Sequence, residues 1–90
     1  MSEAPSAEAL ADEARRARQL RMVVDLASTV IAQGGVTREE AEALVAAVRR
    51  RALELFPGKD GTFDLVLAPR FARLIREFAL PPGNPSIRES

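Results

Sequence analysis

Apolar residues recur at three- and four-residue steps along most of this chain. Leu20, Val23, Val24, Ala27, Val30 and Ile31 make one such run, interleaved with Arg18, Arg21, Asp25, Ser28 and Thr29. That spacing predicts a helix with one broad apolar face. Ser6 is placed to cap it, so the helix is expected from about Ala7 to Gln33. Earlier the stripe thins to Leu10, Ala14 and Ala17, which bury less. The front of this helix is therefore expected either to fray or to pack on a second copy of the chain.

A second run, Ala41, Leu44, Val45, Val48, Ala52 and Leu55, predicts a helix from about Arg38 to Phe56. Between the two lies Gly34-Gly35-Val36-Thr37-Arg38-Glu39-Glu40. The glycines offer left-handed backbone to end the first helix. Thr37 and Glu40 have the spacing of a reciprocal capping box at the start of the second. This hinge looks like that of many small bacterial helical hairpins; it is general capping chemistry and identifies no family.

Pro57-Gly58-Lys59-Asp60-Gly61 reads as a turn, with Asp60 or Thr62 expected to cap a third helix. Phe63, Leu67, Phe71, Leu74, Ile75 and Phe78 keep helical phase across Pro69. Two readings follow: one helix kinked at Pro69, or a short turn through Leu67 and a fresh helix beginning at Pro69. A third treats residues 62–67 as a strand that pairs between molecules, since no second strand is on offer within the chain.

The expected fold is all-α: a small antiparallel bundle of three helices, the third kinked or broken near Pro69. Residues 1–6 read as a flexible leader, 7–80 as the bundle and 81–90 as a disordered, proline-rich tail. The expected core draws Leu20, Val23, Val24, Ala27, Val30 and Ile31 from the first helix. Leu44, Val45, Val48 and Leu55 come from the second. Phe63, Leu67, Phe71, Leu74, Ile75 and Phe78 come from the third.

Ninety residues make one small domain, and a 47% hydrophobic share suits a folded one. Much of that share is alanine, which leaves a thin core and makes self-association a standing expectation. Thirteen basic and thirteen acidic side chains cancel. No global field draws the chain toward nucleic acid or anionic lipid. No stretch matches a signal peptide or a membrane span, so a cytoplasmic, membrane-free protein is expected.

The chain has no histidine, cysteine, tyrosine or tryptophan. The usual general base, thiolate nucleophile and transition-metal ligands are missing, so neither catalysis nor a cofactor or metal is expected. Asp60-Gly61-Thr62-Phe63-Asp64 lacks the ligand spacing of a calcium-binding EF-hand. A helix-turn-helix reader would place Glu39, Glu40 and Glu42 against phosphates, which disfavours DNA recognition through the hinge.

Twelve of the thirteen basic residues are arginine. Each cluster follows an acidic stretch on its own helix, as the helix dipole favours, so a solvated face is the simplest account. Arg49, Arg50, Arg70, Arg73 and Arg76 are nevertheless the candidate partner-binding residues, because arginine suits acidic and phosphate groups. The function expected is a non-catalytic protein-interaction module, an adaptor or regulator, self-associating as a homodimer. The alternative is a nucleic-acid accessory protein that uses the arginine clusters.

Overall fold

The computed structural model of the protein describes residues 6–81. Apart from Ser6 and Pro81, the expected leader and tail lie outside these residues. Helix α1 spans Ala7–Ala32, and the Ser6 hydroxyl accepts the Ala9 N–H at 3.0 Å. At its other end the Gln33 N–H donates to the Thr29 carbonyl and the Gly34 N–H to that of Ile31, each at 3.0 Å. Gly34 alone of the glycine pair is left-handed, with φ of +80°.

Helix α2 spans Arg38–Leu55 and opens on the expected capping box. The Glu40 N–H donates to the Thr37 hydroxyl at 3.0 Å, and the Thr37 N–H to the Glu40 carboxylate at 2.9 Å. Both orphan donors are thereby satisfied at an exposed helix start. Phe56 closes α2, its N–H donating to the Ala52 carbonyl at 2.8 Å.

The third helix is one rod in three pieces: a turn Asp60–Thr62, a π-helical stretch Phe63–Leu67 and an α-helical stretch Ala68–Phe78. It begins behind Lys59 without a side-chain cap, so neither Asp60 nor Thr62 takes the capping role expected of them. Pro69 falls in the first turn of the last piece. Its ring would crowd the carbonyl four residues back and it has no N–H to offer. The wider π turn accommodates this, with the Ala68 N–H donating to the Phe63 carbonyl five residues back. Residues 62–67 are thus helical, and the intermolecular-strand reading falls: among the described residues there is no strand.

The order is up, down, up. Beyond Phe78 the Leu80 N–H donates to the Val36 carbonyl at 2.8 Å, forming one isolated parallel bridge at Thr37. This contact returns the third helix to the α1–α2 hinge and sets it parallel to α1. Ile31 and Phe71 are the largest side chains wholly out of water, with Ala27, Ala41, Val48, Ala52, Phe63 and Ile75 around them. Leu55 is also buried. Three corrections to the expected core follow, the first being that Val30 is only half-buried and stands outside the cluster. Ala41 and Ala52 are buried, on the same face of α2 as Val48. Phe78 is 40% exposed, because it stands where the bundle runs out of neighbours.

Helix α1 is longer than the body it packs on. Every residue from Ala7 to Arg15 is exposed, and Arg16 is the first to be partly covered. At that level the Arg16 guanidinium donates to the Leu55 carbonyl at 2.9 Å and lies 5.3 Å from the Phe56 ring centre. A cation thus meets the negative end of the α2 dipole. Asp12 holds the same guanidinium at 3.2 Å from one turn earlier, at the favourable four-residue spacing. No helix among the described residues is long and apolar enough to cross a membrane.

Candidate interaction groove

The apolar face of α1 is wider than α2 can cover, and the third helix covers only part of the remainder. Leu20, Val24, Leu67 and Leu74 consequently stay half-buried against the core. They floor an open groove of about 750 Å³ between α1 and the third helix. Phe71 completes the floor and Phe56 stands at one end. The rim is charged: Arg21 and Asp25 from α1; Arg70, Arg73 and Glu77 from the third helix. A smaller recess of about 300 Å³ shares Leu20, Phe56 and Leu67 with this groove. It extends the apolar trough to Leu53 and Val66.

A separate groove of about 300 Å³ lies between α2 and the third helix, with Arg38, Glu42 and Arg76 beside Val45 and Ile75. The five candidate arginines therefore divide. Arg70 and Arg73 share the rim of the larger groove, and Arg76 lines the smaller one. Arg50 is exposed on α2. Arg49 is held by Asp64, its Nε and Nη2 donating to the two carboxylate oxygens at 2.9 and 3.1 Å. Those hydrogen bonds hold the Asp64 carboxyl below its ordinary value, against a smaller opposing effect of desolvation. They likewise push the Arg49 guanidinium up.

Arg21, Asp25 and Glu77 belong to the rim but were not singled out from the sequence. A signal for Arg21 was present. Residues 10, 14, 17, 21, 24 and 28 alternate four- and three-residue steps, which places them on one line of the helix. Among the described residues no polar or charged side chain is buried, and no three His, Cys, Asp or Glu residues converge as a metal cage would require. The arrangement offers apolar surface for a partner to cover, flanked by charges of both signs. Set against protein-family models, curated proteins and solved structures, the chain matches none of them.

Proposed function

We propose that this protein is a small, non-catalytic interaction module, an adaptor or regulator that docks a helix in the groove between α1 and the third helix and associates with itself. The observation that carries this reading is the half-covered leucine and valine floor under a charged rim. Covering one such side chain contributes about 1.5–3 kcal/mol. An exposed ion pair at the rim contributes about 0.2–1 kcal/mol. Affinity accordingly comes from the floor, while the rim arginines select charge and register. Helix-in-groove recognition of this kind reads anchors spaced three and four residues apart.

The test is retention of companions by the tagged full-length protein, wild type against variants. Docking in the groove predicts that companions, a second copy among them, are lost from Leu74→Glu and kept by Thr29→Glu. Circular dichroism checks that Leu74→Glu still folds, and Arg73→Glu probes the rim without touching the floor. Companions indifferent to both groove substitutions sink the reading. The nucleic-acid alternative requires binding to mixed DNA or RNA that weakens steeply with salt; anisotropy at low salt measures it.

A further inference from the structure

We propose that the occupant of the groove is the exposed front of α1, Ala7 to Arg15, from a second copy of the chain, exchanged reciprocally so that the two α1 helices run antiparallel across Ala17. The proposal deepens the interaction reading above and rests on it.

Geometry comes first. Leu10, Ala14, Ala17, Arg21, Val24 and Ser28 form a single seam down α1. The later members, Ala17, Arg21, Val24 and Ser28, are a wall of the groove. The earlier ones, Leu10 and Ala14, are exposed, with Leu10 at 53%. An antiparallel pairing about Ala17 sets Leu10 against the partner's Val24 and Ala14 against the partner's Leu20. Leu10 and Val24 then cover each other on either side of Ala17, and Ala14 lies on the Leu20 of the groove floor. The lengths are compatible: the exposed segment of nine residues runs about 13 Å, and the twelve-residue wall from Ala17 to Ser28, about 18 Å, can hold it.

Charge agrees as well. From Ala7 to Arg15 the segment carries Glu8, Asp12 and Glu13 against one base, Arg15, which pairs with Asp12, so Glu8 and Glu13 are the acids left to meet a partner. The groove rim holds three arginines against two acids. The same pairing brings Glu13 opposite the partner's Arg21. The segment cannot reach its own groove, because it is the straight continuation of the helix that walls it. A second copy is therefore the source of this occupant. Alanines at 7, 9, 11, 14 and 17 let two helices approach closely, and a helix segment this short gains little in water without such packing.

The experiment is sedimentation of the full-length protein over a wide concentration range, with variants at exposed positions. Wild type is expected to dimerise. Leu10→Glu and Ala17→Glu are each expected to raise the dimer dissociation constant about tenfold or more, as lost apolar contact and like charges on the dyad require. Glu13→Arg and Arg21→Glu are each expected to weaken the dimer and together to restore it. Because the chain has no cysteine, Ala17→Cys is expected to give a disulfide-linked dimer on oxidation, and Thr29→Cys not to. A monomer at high micromolar concentration overturns the proposal. So does a dimer that ignores Leu10→Glu and Ala17→Glu. If such a chain still holds another protein through Leu74 and Arg73, the docking reading survives; the second-copy assignment falls, and with a monomer the self-association falls too.

Discussion

Gly34 and Gly35 are neighbours with different jobs. Gly34 sits at φ +80°, where a Cβ would meet the Phe78 carbonyl oxygen at an ordinary 3.7 Å; backbone strain, not crowding, is what alanine would cost. Gly35 has no positive φ and open space around it. Gly34→Ala is expected to lower stability by about 1–2 kcal/mol, and Gly35→Ala to leave it unchanged or raise it by about 0.4–1 kcal/mol. Urea denaturation separates the two. The phenylalanines split in the same way. Phe71, 2% exposed, is expected to cost about 3–5 kcal/mol as Phe71→Ala. Phe78→Ala should cost clearly less, since Phe78 already faces water. Equal losses at the two positions would contradict the core described here. The phenylalanine spacing was legible; which ring had neighbours on every side was not.

At the scale of elements, local chemistry carried far. The capping box, the break at Gly34 and the turn after Phe56 all involve residues within a few positions of each other, so sequence displays them. Thr37→Ala is expected to cost about 1 kcal/mol, read from the same urea titration. Pro69 shows where local reading stopped. Proline rules allow a kink or a fresh start; the structure breaks the α-helix at a π turn just before Pro69, and Phe63 at its start and Phe71 beyond it are both buried. Asp64 then pairs with Arg49 across to α2. Its carboxyl is lowered in the folded state, so the folded chain binds fewer protons than the unfolded one as the acid titrates. The stabilisation is present above the ordinary aspartate value of about 3.9 and lost as pH falls through the lower folded value. Asp64→Asn should therefore flatten the acid limb of the stability curve; an unchanged limb would show the pair contributes nothing.

For the whole molecule, the mismatch between a helix of 26 residues and a shorter body is the governing feature. Ala11 and Ala14 stand in the unpacked part. Replacing both by glycine lowers helix propensity by up to about 1 kcal/mol each. In dilute solution the unfolding midpoint should hardly move, because nothing in the core depends on these residues. Far-ultraviolet helicity should drop and self-association should weaken, measured by circular dichroism and sedimentation. Association unaffected by the double substitution would detach the α1 front from the proposed dimer. The arginine clusters also changed meaning at this scale. In the chain Arg70, Arg73 and Arg76 are one row; in the fold the first two share one groove and the third borders another.

Sequence alone determined the helices, the caps of the first two, the hinge and the thin front of α1, because each depends on periodicity or on groups a few residues apart. The all-α bundle follows from those. Tertiary structure decided which apolar residues are covered, that Arg16 closes the end of α2, that Asp64 answers Arg49, and that α1 and the third helix leave a groove between them. Those outcomes turn on contacts between residues far apart in the chain, where packing geometry and not spacing selects the partner.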